Sequence, residues 1–65
     1  MEFKKGQIWR TKNPDAEIRI IDVSVFGLIS FEVTDNGDGW KQCTEWQSSV
    51  LELFIKDHDF VLEVA

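Results

Sequence analysis

Two runs rich in isoleucine and valine, residues 17–25 and 28–34, are separated only by Phe26-Gly27. β-Branched side chains suit the pleated, half-buried surface of a strand, and glycine takes the positive φ that a tight reversal requires. The pair therefore reads as a β-hairpin. Centring its turn on Gly27 sets Val25 opposite Ile29, Val23 opposite Phe31 and Ile21 opposite Val33, with Ser24 meeting Ser30 on the other face. A shift of one residue would put Asp22 against Phe31 and Ile21 against Glu32, so the first register is preferred even though it places Asp22 opposite Glu32. It predicts a core containing Ile21, Val23, Val25, Ile29, Phe31 and Val33.

The remainder of the 65-residue chain has room for no second domain, so residues 1–65 form one unit. A chain of this size buries only about 60% of the surface its unfolded form exposes, which makes every large apolar side chain count. With three Trp and five Phe, a packed core is expected without a metal, cofactor or disulfide. A first strand is predicted over 7–11, ended by Asn13-Pro14-Asp15, whose residue types preset turn geometry. The turn-forming run Asp35-Asn36-Gly37-Asp38-Gly39 precedes a predicted strand over 40–44. Ser49-Val50-Leu51-Glu52 has the form of a capping box and predicts one or two helical turns through Phe54. Asp57-His58-Asp59 then turns the chain into a closing strand carrying Phe60, Leu62 and Val64. The expected fold is mainly β: five short strands in a small, partly open barrel, with one short helical turn before the last strand.

The residues Lys5-Gly6-Gln7-Ile8-Trp9-Arg10, then Ile20-Ile21-Asp22-Val23, Ile29-Ser30-Phe31-Glu32-Val33, Leu51 and Phe54 carry a resemblance. Over most of its length the chain resembles the small uncharacterised SH3-like barrel proteins of tailed phages and prophages. The resemblance implies an SH3-like barrel and an origin in a mobile element, and it assigns no functional residues.

Net charge is −5, unevenly spread: residues 1–19 hold five basic and three acidic side chains, and residues 20–65 hold two and nine. The acidic balance disfavours general nucleic-acid binding, which draws its affinity from Lys and Arg neutralising phosphates. The lone Cys43 cannot close an internal disulfide and points to a reducing compartment, the cytoplasm. No apolar run approaches the roughly 18 residues of a membrane span, and Met1-Glu2-Phe3-Lys4-Lys5 lacks a signal peptide's apolar stretch.

Chemistry-bearing clusters are sparse. Counted from Asp35, a calcium loop would need oxygen ligands where Gly37 and Gly39 stand and a carboxylate where Trp46 stands, so calcium is rejected. Asp57-His58-Asp59 contains the single His and does not assemble the three or four ligands of a metal site. A Cys43, His58 and Asp59 triad would need an oxyanion pocket that so thin a barrel hardly provides, so the chain is read as no enzyme. Cys43 itself reads as a half-buried strand residue.

Burying three Trp alongside Phe3, Phe26, Phe31, Phe54 and Phe60 would strain so small an interior. Trp9, inside the barrel-like motif, is expected to be buried, which leaves Trp40 and Trp46 as candidates for exposure. With Asp38 and Glu45 they form the predicted protein-binding surface. The leading expectation is thus a non-enzymatic interaction module, a phage or prophage accessory protein acting on a host or phage protein. A second expectation is a nucleic-acid-associated module using Lys4, Lys5, Arg10, Lys12 and Arg19, whose bland alternative is a lysine-guarded edge strand. A third is an acidic mimic of DNA. The sequence also leaves open a homodimer formed through an unpaired barrel edge or an exposed Trp.

Overall fold

A computed structural model describes residues 1–12, 15–35 and 44–65. They form β1 (Ile8–Lys12), β2 (Asp15–Val23), β3 (Leu28–Asp35), β4 (Thr44–Gln47), α1 (Ser48–Asp57) and β5 (Val61–Val64). All strand pairs are antiparallel, in the order β4-β3-β2-β1-β5, so the last strand returns beside the first. The chain is mainly β, with its helix ahead of the last strand as expected. The sheet is open rather than closed into a barrel, with β4 and β5 as its edges among the described residues.

Alternation along the strands divides the sheet into two unlike faces. Trp9 and Thr11 of β1, Ala16, Ile18 and Ile20 of β2, and Ile29 and Phe31 of β3 are buried on the inner face. α1 packs on that face against β3 and β4, adding Leu51 and Ile55, while Phe3 and Phe60 close the remainder. The interleaved residues Arg10, Glu17, Arg19, Ser30 and Glu32 lie on the uncovered outer face.

The β2–β3 register differs from the sequence-based one. Val23 pairs with Ile29 and Asp22 with Ser30; a bulge at Ile21 then brings Ile20 opposite Phe31, Arg19 opposite Glu32 and Ile18 opposite Val33. The cause is the turn. The Ser24 hydroxyl oxygen accepts the N–H groups of Phe26 and Leu28, both at 3.1 Å, while the Ser24 N–H donates to the Leu28 carbonyl at 2.8 Å. Gly27 takes φ +82°, a conformation that favours glycine. Val25 and Phe26 are thereby held in the turn, out of the ladder. Of the predicted core, Ile29 and Phe31 are buried and Val33 packs against them, but Val25 is 95% exposed, Val23 lies at the surface and Ile21 is half-buried. Ile18 and Ile20 occupy the positions assigned to Ile21 and Val23.

The fourth strand also lies later than expected: β4 shares only Thr44 with the predicted 40–44, and residues 40–43 are outside the described residues. The helix is longer than predicted, and the capping box does not form. Gln47 is the N-cap, with no side-chain cap hydrogen bond, and the Ser48 N–H is taken instead by the Gly27 carbonyl at 2.8 Å. Glu52, the acidic member of the expected box, accepts the Met1 amino group at 3.2 Å and Lys56 at 3.4 Å. Both contacts, the amino terminus foremost, hold its carboxyl below the usual range.

The C-terminus of α1 is a Schellman motif. The Phe60 N–H donates to the Ile55 carbonyl at 3.0 Å and the Asp59 N–H to the Lys56 carbonyl at 3.3 Å, with the Phe54 and Phe60 rings 5.8 Å apart beneath. Asp59 supplies the left-handed residue, φ 55°, where glycine is usual. A side chain there costs about 1 kcal/mol, and a carboxylate beside the negative end of a helix dipole adds to the cost. Asp59→Gly is therefore expected to stabilise the chain by about 1 kcal/mol, a rise in melting temperature of roughly 4–8 °C. Thermal unfolding followed by circular dichroism checks this, and an unchanged or lower midpoint contradicts it.

Candidate interaction surfaces

Of the residues expected to bind a protein, Trp40 and Asp38 lie outside the described residues. Trp46 and Glu45 are adjacent on β4 and so point to opposite faces. Trp46 turns inward, its ring 5.1 Å from that of Phe31 and 5.5 Å from that of Phe54, both edge-on. It is half-buried. Glu45 turns outward, where its Oε2 accepts the Ser30 hydroxyl at 3.4 Å. Trp9 is buried as expected, edge-on to Phe3, and its Nε1–H donates to Gln7 Oε1 at 3.3 Å. Gln7 was not singled out by sequence reasoning, yet its amide joins the Trp9 indole to the backbone at Lys4 and Glu2.

The basic residues do not form one patch. Lys4 and Lys5 precede β1 at an exposed turn, with Lys4 3.9 Å from Glu2. Arg10, Lys12 and Arg19 stand on the outer face among carboxylates. Arg10 contacts Asp15 at 3.2 Å and Glu63 at 3.7 Å, and Arg19 contacts Glu32 at 2.8 Å. The hydrogen bond from Arg10 to Asp15, reinforced by the charges of Asp15 and Glu63, further favours the charged guanidinium. Lys12 has no ion pair within 4.0 Å among the described residues. These contacts make the outer face a mosaic of both signs.

Beside Lys12 a shallow, open groove of about 410 Å³ runs between β1, β5 and the end of α1, lined by Arg10, Thr11, Lys12, His58, Asp59 and Val61. Thr11 Oγ1 donates to the His58 carbonyl at 2.8 Å and pins this turn to β1. The His58 ring lies 4.3 Å from that of Phe54, and its Nδ1 is 3.0 Å from the Phe54 carbonyl, so Nδ1 carries the proton. Cys43 is outside the described residues, so the triad with His58 and Asp59 has no geometry to report. Among the described residues no three His, Cys, Asp or Glu side chains are grouped to hold a metal, and no helix is long and apolar enough to cross a membrane.

Among the described residues, the largest apolar exposure is elsewhere. Val25 is 95% and Phe26 88% exposed on the β2–β3 turn. The bond from Ser48 N–H to the Gly27 carbonyl sets this turn against the first turn of α1, whose Val50 and Leu53 also face solvent. Those two stand three residues apart, on one side of the helix away from Leu51 and Ile55. The signal was present in the sequence as Phe26 directly before the turn glycine, a place where an aromatic side chain has no ladder partner. No protein-family model matches the chain, and comparison with curated proteins and with solved structures gave no significant match.

Proposed function

We propose that this chain is a non-enzymatic protein-interaction module whose contact surface is centred on the Val25-Phe26 turn and extends onto Val50 and Leu53. The observation that carries it is an aromatic side chain left 88% exposed on a turn that five hydrogen bonds, four involving Ser24 and one from the Ser48 N–H, hold in place. Full burial of such a side chain in a partner's pocket gains about 1.5–3 kcal/mol, and a held turn loses little conformational entropy on binding. Trp46, the described tryptophan of the surface expected from the sequence, lies on β4, which leads through Gln47 to the Ser48 that bonds this turn.

Net charge of −5 sets the partner's chemistry: an apolar recess rimmed by basic side chains. The nucleic-acid and DNA-mimic readings draw less support, because carboxylates engage Arg10 and Arg19, and these cations in turn interrupt the acidic face. Antiparallel strands with a helix ahead of the last support an SH3-like arrangement opened between β4 and β5. The resemblance through Lys5–Arg10 supports a phage or prophage accessory protein, working in a reducing cytoplasm.

A photo-reactive benzoylphenylalanine at position 26, compared with one at Glu32 on the outer face, tests the placement in cells. One dominant protein adduct from position 26, absent from position 32 and weakened roughly tenfold by Leu53→Ser, is expected. Equal adducts from both positions, or none from 26, overturn it. Phe26 and Leu53 both face solvent, so neither change should disturb folding.

A further inference from the structure

We infer that two copies of this chain pair β5 against β5 about a twofold axis, continuing one antiparallel sheet across the dimer. This rests on the sheet edge and is independent of the Val25-Phe26 surface. β5 pairs only with β1, so among the described residues its other side offers unpaired backbone groups. All four residues of the strand are exposed, with Val61 at 64%, and the strand contains neither Pro nor Lys to guard it. The opposite edge differs. β4 shows Thr44, Glu45 and Gln47, and its one large apolar residue, Trp46, is turned onto Phe31 and Phe54.

Face and charge together select one register. On the outer face Val61 stands opposite Arg10, and Glu63 reaches Arg10 at 3.7 Å; Leu62, opposite Trp9, stands on the inner face. Residues paired across strands share a face, so any register matching Leu62 with Glu63 or with Val61 is excluded. Centring on Val61 sets Asp59 opposite Glu63 of the second copy, and centring on Glu63 sets the two Glu63 carboxylates opposite each other. Both oppose like charges. Centring on Leu62 avoids this: Leu62 meets Leu62 of the second copy on the inner face, and Val61 meets Glu63 of the second copy on the outer face, twice by symmetry.

That register also gives the incoming carboxylate its counter-charge. A shallow groove of about 390 Å³ along the outer side of β5 is lined by Arg10, Lys12, Val61, Leu62 and Glu63. Glu63 of the second copy, lying over Val61, enters this groove beside Lys12, which has no ion pair within 4.0 Å among the described residues, and beside Arg10. Main-chain bonds supply the pairing, and the two Lys12–Glu63 contacts fix the register.

Sedimentation equilibrium over a concentration series is expected to show mass rising to that of a dimer. Glu63→Lys and Lys12→Glu should each raise the dissociation constant roughly tenfold, and the combination of both should recover most of the loss, because charge is restored across each contact. The exposed Phe26→Ser should leave it unchanged, and amide exchange along β5 should slow with concentration. Urea unfolding of each variant separates lost pairing from lost folding. A chain still monomeric at about 1 mM, a combined variant no better than either single one, or a dimer weakened by Phe26→Ser with β5 amides unprotected overturns the inference.

Discussion

Phe31→Ala is expected to leave most of the chain unfolded at 25 °C. Phe31 is the largest of the fully enclosed side chains, 2% exposed, and its ring is the surface on which Trp46 packs edge-on. Truncating a buried Phe costs about 3–5 kcal/mol through lost transfer energy and the cavity left behind. A core in a chain of this size rarely supplies more than about 3–5 kcal/mol in all, so the deletion costs as much as the whole margin or more. Urea titration read by circular dichroism measures this. A cooperative transition displaced by less than about 1 kcal/mol would mean that Trp46 and Phe54 close over the gap. Val25→Ala is the matched control: it is expected to change stability by less than about 0.5 kcal/mol, because Val25 is exposed. In the register centred on Gly27, Val25 would be a core residue and the same change would cost several times more.

Gln7→Leu is the second large effect. Gln7 is 5% exposed; its Oε1 accepts the Lys4 N–H at 3.0 Å and the Trp9 Nε1–H at 3.3 Å, and its Nε2 donates to the Glu2 carbonyl at 3.3 Å. Leucine fills similar space but leaves the buried indole N–H with no acceptor, so a loss of about 2–3 kcal/mol is expected. A double-mutant cycle isolates the cause. Trp9→Phe, which removes the donor, should cost about 1 kcal/mol less in the Gln7→Leu background than in the native chain. Equal costs in both backgrounds would show that Gln7 acts through packing alone.

What could be read from the sequence follows from how local each determinant is. The hairpin, the helix ahead of the last strand and the burial of Trp9 rest on nearby residue types, and each is present. The β2–β3 register rests on a Ser24 hydroxyl that takes two amides and on a bulge at Ile21, neither of which hydrophobic matching contains. One warning was visible: the preferred register opposed Asp22 to Glu32. The bulge relieves that conflict by setting Arg19 opposite Glu32, 2.8 Å apart, and it brings Ile18 and Ile20 inward. The start of α1 depends on Gly27, distant in sequence, so the Ser49 capping signal went unused. At the candidate surface, Glu45 and Trp46 sit too close in sequence to share a strand face, which alternation alone would have shown. Gln7 gave no signal, because a buried glutamine is recognised by the three groups that converge on it.

The pairing of β5 with β1 joins opposite ends of the sequence, whereas β2 and β3 are neighbours along it. Contacts so unequal in range should form at different times: the hairpin closes a short loop quickly, and the last strand must await closure of almost the whole chain. β5 is thus the expected final addition during folding and the first element to open in the native state, with the lowest amide protection of the sheet in a dilute sample. The strand that completes the molecule is also its least permanent part.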